Sequence, residues 1–340
     1  MVTPDRALGW NDVLDASWRA AGAPGTPGRV SRLDRGWSSV RYAADDTAIA
    51  RIRNIGADVA VGDWVVADDD GERVAHVVER TSAFVRRASF EGSRFVADTL
   101  AANIDVVFLV HALGSPPNQR RLERELVLAF DSGAEPAVLL TKTDLVDDPS
   151  EARRELEEVA RAVPVLLASG RTGQGVDEIR AYARGNRTLA FLGASGVGKS
   201  TLVNALLGNQ VQAVSEVREG DQRGRHTTVA ASLLRLPGEG WLIDTPGVRA
   251  VSLWLSGHGI ERAFADVFDL MDDCRFRDCK HDREPGCAVR AAIEAGTLDP
   301  ARFASLERLV AEEAAVEEEQ RAQEKLADRR GARRRRPPAP

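Results

Sequence analysis

The stretch LLTKTDL, residues 139–145, decides how the chain is read. It closes the apolar run at 137–140 and passes at once into Thr141-Lys142-Thr143-Asp144. A short apolar run bounded by polar residues predicts a buried strand of a parallel sheet. A [N/T]-K-x-D tetrapeptide just past such a strand has the chemistry to recognise guanine. Asp144 would accept from the ring N1–H and from the exocyclic amine, and the Lys142 stem would lie along the base. Adenine offers neither donor, so a carboxylate at this place discriminates strongly between the two. After the next predicted strand, VPVLLAS, come Ser169, Gly170 and Arg171, where a second base-binding loop would set a backbone N–H on the guanine oxygen.

The phosphate chemistry comes later in the chain. Gly193-Ala194-Ser195-Gly196-Val197-Gly198-Lys199-Ser200 fits G-x-x-x-x-G-K-[ST] at each fixed position. The glycines let backbone N–H groups turn inward onto the α- and β-phosphates, and the helix that starts at Lys199-Ser200-Thr201 adds its positive end. Lys199 would reach the β- and γ-phosphates and the Ser200 hydroxyl would ligate Mg²⁺. Further on, the predicted strand GWLID ends in Asp244-Thr245-Pro246-Gly247: Asp244 would hold Mg²⁺ and the Gly247 N–H would sense the γ-phosphate. Between these lies GRHTT, residues 224–228, where Thr227 or Thr228 could close over the metal. The second half of the chain thus holds the phosphate loop and two switches, and the first half holds base recognition. A sheet requires its strands to be neighbours in space only, so this order reads as a circular permutation.

The flanks have different rhythms. Residues 1–27, which run at their end into AGAPGTPG (21–28), predict a flexible arm with one short helix. Residues 28–90 contain about five short alternating segments separated by Asp, Asn and Gly, the pattern of a small β-barrel of the oligonucleotide-binding type. Strand–helix alternation over 98–255 predicts a mostly parallel sheet covered on both faces. Residues 256–310 read as helical and include CRFRDCKHDREPGC; residues 311–340 are a charged tail whose six arginines at 329–336 suggest disorder. All three cysteines lie in that window, and with His281 they give Cys274-x4-Cys279-x-His281-x5-Cys287. Three thiols cannot pair completely, and four such ligands suit a closed tetrahedral Zn²⁺ site of structural kind.

The formal net charge of −6 excludes a globally basic chain, so any RNA contact must be local. Arg29, Arg32, Arg35, Arg41, Arg51 and Arg53, with Trp37 and Tyr42 among them, form such a candidate. No apolar stretch reaches 18 residues and the first residues lack a secretory pattern, so a cytoplasmic protein without a membrane partner is expected.

The barrel, the permuted motif order, GRHTT and the cysteine window together resemble the circularly permuted bacterial GTPase family RsgA, also called YjeQ, over residues 28–300. The resemblance implies a multidomain α/β protein: a barrel, a permuted P-loop GTPase core and a helical zinc domain. It implies GTP hydrolysis to GDP, stimulated by the small ribosomal subunit during its late assembly, with that subunit and its rRNA as partners. The chain is expected to act as a monomer. Val248 stands directly after D-x-x-G, where many GTPases use Gln to orient water. A valine cannot do so, and His226 in the first switch is the candidate to position water, beside Lys199. Because the second switch leads straight into the helical zinc region, a switch movement could be passed there along the chain. The competing readings are a nucleotide-dependent RNA-binding scaffold and a signalling GTPase with a protein partner.

Overall fold

The computed structural model describes residues 3–87, 97–114, 118–161, 163–208, 231–244 and 257–334. Five strands follow an N-terminal helix α1 (Asp12–Ala21): β1 (Gly28–Asp34), β2 (Trp37–Arg41), β3 (Ile49–Arg53), β4 (Trp64–Ala67) and β5 (Val74–Val77). β1 pairs antiparallel with both β2 and β4, β2 with β3, and β4 with β5. A parallel bridge between Arg53 and Arg73 joins the remaining two edges. The five strands therefore close into a ring around Val30, Val40, Ile52, Val59 and Val65. The ring ends at Val77, short of the expected 90. β6 (Ala83–Arg87) instead pairs with β7 (Ala97–Ala102) in a separate two-stranded ribbon.

Next come β8 (Val106–Ala112), α2 (Gln119–Ser132), β9 (Glu135–Thr141), α3 (Ser150–Ala160), β10 (Val165–Ala168) and α4 (Val176–Ala181). β11 (Thr188–Gly193), α5 (Lys199–Leu207), β12 (Ser232–Arg235) and β13 (Trp241–Asp244) follow. The strand order is β10-β9-β8-β11-β13-β12, parallel except for β12. β12 in turn meets β1 of the barrel at Ser232 and Arg32. Each inner strand is apolar on both faces. In β8, Val107 and Leu109 face a core shared with α2 and α3, while Val106, Phe108 and Val110 face the one under α4 and α5. From β8 the chain winds outward through β9 and β10; from β11 it winds the other way through β13. The switch point between β8 and β11 is where an open α/β sheet binds ligands, past the carboxyl ends of its strands.

Among the described residues four C-terminal helices follow: α6 (Gly257–Ala263), α7 (Ala265–Asp272), α8 (Ala288–Glu294) and α9 (Pro300–Arg334). They dock on α2. The Gly259 N–H donates to Asp131 at 2.7 Å, and a Cβ on Gly259 would lie 2.4 Å from the Val127 carbonyl, so only glycine permits this approach. Arg302, 8% exposed, bridges Asp266 and Glu123, and Arg124 makes a forked contact with Glu312. No described helix is long and apolar enough to cross a membrane.

Two expectations fail at the ends. The described part of the arm is packed onto the body. Leu14 and Trp18, four apart, share one face of α1, and Trp10, just ahead of the helix cap, packs edge-on against both Trp18 and Trp64; all three are buried in the core. Asn11 caps α1 and Trp241 Nε1 donates to the Ala7 carbonyl. Composition at 22–28 suggested flexibility, but the aromatic spacing before it outweighs that. The charged tail is also helical as far as Arg334, because α9 continues without a break from its docked first half.

Candidate nucleotide site and metal cluster

β9 delivers the guanine motif. Thr141 is its last residue, Lys142 turns the chain in a left-handed conformation (φ 62°), and Thr143–Leu145 form one 3-10 turn. The Ser169 hydroxyl donates to the Asp144 carboxylate at 2.5 Å, and Arg171 approaches it at 3.8 Å. The Ser169 hydrogen bond first, then the Arg171 and Lys142 charges, hold the Asp144 carboxyl below its usual range. It is therefore ionised at neutral pH, as acceptance of two guanine N–H groups requires. The 169–174 loop closes on itself: Ser169 N–H donates to the Gln174 carbonyl, and the Thr143 hydroxyl donates to the Gln174 side-chain oxygen. Gln174, which the sequence reading did not single out, so joins the two base loops.

β11 delivers the phosphate loop, in register beside β8 with Gly193 opposite Val110. A Cβ on Gly193 would meet the Val110 carbonyl at 2.6 Å. Gly196 and Gly198 have φ of 81° and 100°, which the loop needs to curl into the start of α5. The Lys199 ammonium donates to the Gly193 and Ala194 carbonyls at 2.8 and 2.6 Å. Burial, followed by the positive field of Arg121, lowers its pKa, while Glu125 and Asp244 oppose this. Ser200 sits in the first turn of α5, and Asp244 ends β13 next to β11.

The two halves meet at one hydroxyl. Thr141 Oγ1 donates within a very short contact to the Val197 carbonyl of the phosphate loop and lies 3.2 Å from the His111 carbonyl. Gly170 packs against the backbone of Thr201 and Leu202, where a Cβ would sit 2.8 Å from Thr201 C. The structure thus brings together Thr141–Asp144, Ser169–Gly170, the 193–201 loop and Asp244. His226, Thr227, Thr228, Gly247 and Val248 lie outside the described residues.

The cysteine window forms a separate cluster between α7 and α8. The ligand atoms of Cys274, Cys279, His281 and Cys287 all lie within 4.8 Å of one another. Cys274 Sγ is 4.0 Å from Cys287 Sγ, and His281 Nδ1 is 3.6 and 3.5 Å from those two sulfurs. A tetrahedral ion with Zn–S near 2.3 Å sets such edges at about 3.6–3.8 Å, so the donor set fits Zn²⁺.

Of the six barrel arginines, Arg29 cannot face a partner. It is 1% exposed, donates to the carbonyls of Leu8 and Asn103 and to the Thr188 hydroxyl, and ties barrel, arm and sheet together. Arg41 is half-buried over Trp241. Arg51 and Arg53 remain exposed, their guanidinium carbons 4.9 and 5.1 Å from the centroid of the half-buried Trp37 ring.

A family model described as RsgA GTPase matches residues 77–254. The chain belongs to the RsgA GTPase family. The small ribosomal subunit biogenesis GTPase RsgA of Streptomyces coelicolor is 42% identical over 320 residues, 90% of this chain and 86% of that protein. The protein of the same name from Methanosarcina acetivorans is 37% identical, covering 91% and 85%. Among solved structures, YjeQ from Thermotoga maritima superposes with a TM-score of 0.61 at 25% identity, covering 85% of this chain and 98% of that one. YloQ, described as a circularly permuted GTPase, gives 0.60 at 25% identity, with 85% and 95% covered. Membership of the RsgA family makes this chain a GTPase with a guanine nucleotide as substrate, on a circularly permuted sheet.

Proposed function

We propose that this GTPase acts in late assembly of the small ribosomal subunit and that the subunit stimulates its hydrolysis of GTP. The observation that carries the reading is the Thr141 contact. A base-recognition strand and a phosphate loop far apart in the chain share one hydrogen bond, which builds a single nucleotide cleft. The relatives' names supply the particle.

In this reading Asp144 selects guanine, Ser169 and Gly170 border the base, and residues 193–201 cradle the phosphates with Lys199 on the β/γ side. Ser200 and Asp244 would hold Mg²⁺, which neutralises charge on the phosphate oxygens when bound. Thr227 or Thr228 closes over the metal, Gly247 senses the γ-phosphate, and His226 positions the attacking water in place of the Gln that Val248 replaces. Cys274, Cys279, His281 and Cys287 hold one structural Zn²⁺. The barrel, through Arg51, Arg53 and Trp37, and the zinc region are the RNA-facing parts, and the protein works in the cytoplasm as a monomer.

The test is steady-state GTP hydrolysis by the purified chain alone and with small, large or assembled ribosomal particles at fixed salt. Stimulation by the small subunit alone is expected. Equal rates with every particle would leave a GTPase whose partner lies elsewhere.

A further inference from the structure

Beneath the phosphate loop lies a buried charged cluster that the nucleotide motifs do not use. Glu125 on α2 is fully buried and holds two partners. His111 Nε2, at the end of β8, lies 2.9 Å from one carboxylate oxygen, and Arg121 Nε donates to the other at 2.8 Å. The contact runs through Nε and not through the terminal nitrogens of the guanidinium. Among the described residues its two terminal nitrogens make no hydrogen bond, and the side chain is 29% exposed.

The placement is locally unfavourable. Arg120 and Arg121 sit in the first turn of α2, which has no acidic residue, although the positive end of a helix favours anions there. A cation at this point, fixed by a fully buried carboxylate one turn on, is a local conflict of the kind functional sites keep. β8 runs in register beside β11, so α2 begins next to the phosphate loop at the sheet's switch point. The Arg121 charge is felt by the Lys199 ammonium, whose own target is the β/γ-phosphate edge.

We propose that Arg121 is a further catalytic residue, an arginine supplied in cis whose terminal nitrogens engage the γ-phosphate as charge develops, with Glu125 as its positioning residue. An arginine fork matches phosphoryl oxygens, and preorganised donors aimed at developing charge are the largest lever available to a GTPase. This rests on the nucleotide-site reading above and supplies charge stabilisation, which Val248 cannot. The C-terminal helices grip the same α2 through Glu123, Arg124 and Asp131.

The experiment is single-turnover GTP hydrolysis by the full chain, with and without small ribosomal subunits, for Arg121→Gln, Arg121→Lys, Glu125→Gln and the double variant Arg121→Gln/Glu125→Gln. GDP affinity with and without fluoroaluminate is measured alongside. Arg121→Gln is expected to slow stimulated turnover by about 10²- to 10³-fold with little change in KM, as for loss of one preorganised donor. Arg121→Lys recovers part of the rate, and Glu125→Gln loses part. In Arg121→Gln, fluoroaluminate no longer tightens GDP binding, while GDP affinity alone is kept. The double variant removes the buried carboxylate that Arg121→Gln would leave with His111 as its partner but without its arginine, so it folds and stays slow. Wild-type turnover by Arg121→Gln, or turnover restored in the double variant, overturns the proposal and leaves Arg121 as a neutraliser of Glu125. Failure of the nucleotide-site reading is distinguishable: the unaltered chain would then bind no guanine nucleotide, and the proposal would fall with it.

Discussion

The candidate metal cluster draws its four ligand residues from the fourteen consecutive residues 274–287, whereas the candidate nucleotide site gathers Asp144, Ser169 and Lys199 from three segments that only the sheet brings together. The first is a local device: its geometry depends on a short loop between α7 and α8, and an ion would supply much of its order. The second is a distributed device: β8, β9 and β11 set its loops, and apolar packing on both sheet faces sets the strands. The contrast teaches why permutation is tolerated. Cutting and rejoining the chain leaves a distributed site whole as long as β8 and β11 remain neighbours, while a local site survives only uncut.

The largest expected effect separates the two. Chelation, or Cys287→Ser, removes an interaction that in small zinc domains is worth about 10 kcal/mol. The unfolding transition of the C-terminal helices should fall or vanish, with circular dichroism as the readout. GDP affinity should stay within about threefold, since energetically independent sites do not couple. Collapse of GDP binding on chelation would mean that the two sites are not independent.

Next in size is Asp144→Asn. A site built to pair with two guanine donors should lose about 10⁴-fold of its preference for GTP over ATP when that carboxylate becomes an amide. Competition binding reads this directly, and undiminished preference would move guanine recognition off β9. The metal content of the variant should match that of the unaltered chain.

A smaller effect probes the joint between the halves. Thr141→Val keeps the volume of the side chain but leaves the Val197 carbonyl without its donor, an uncompensated buried group costing about 1–3 kcal/mol. GTP and GDP affinity should both fall about tenfold, with the hydrolysis rate of bound GTP little altered. A loss confined to turnover would place Thr141 in the reaction itself.

What could be read in advance follows the same division. The phosphate loop, TKTD and the cysteine window each keep their residues consecutive, so chemistry and spacing were visible together. The strands β8, β9, β10, β11 and β13 were visible as apolar runs that a doubly covered sheet buries, but their neighbour order was not. The Arg121–Glu125–His111 cluster was not legible. In sequence Glu125 lies on a charged helix among other charges, and its burial arises only because α2 packs between β8 and the C-terminal helices. Arg29 misled for the same reason: an arginine in an alternating strand reads as an outward charge, yet the arm and Thr188 enclose it. The arm itself was legible, through Trp10, Leu14 and Trp18 at helical spacing, but its glycine-rich end drew the reading toward flexibility.

The smallest effect concerns a surface that is neither local loop nor sheet-built cleft. Trp37, Ser39 and Arg41 on β2 alternate outward opposite Arg53, Arg51 and Ile49 on β3, so one outer face of the barrel presents two guanidinium groups over one indole. Two exposed guanidinium groups against one indole suit phosphate contact and sequence-tolerant stacking, not base-specific readout. Arg51→Gln with Arg53→Gln should therefore weaken small-subunit binding modestly and reduce the slope of log affinity against log salt by about 1 per arginine. Stability should change little, because both charges are exposed and β3 keeps its buried residue, Ile52. Subunit binding with an unchanged salt slope would take this face out of the RNA contact and leave the arginines as solvated neighbours of Trp37.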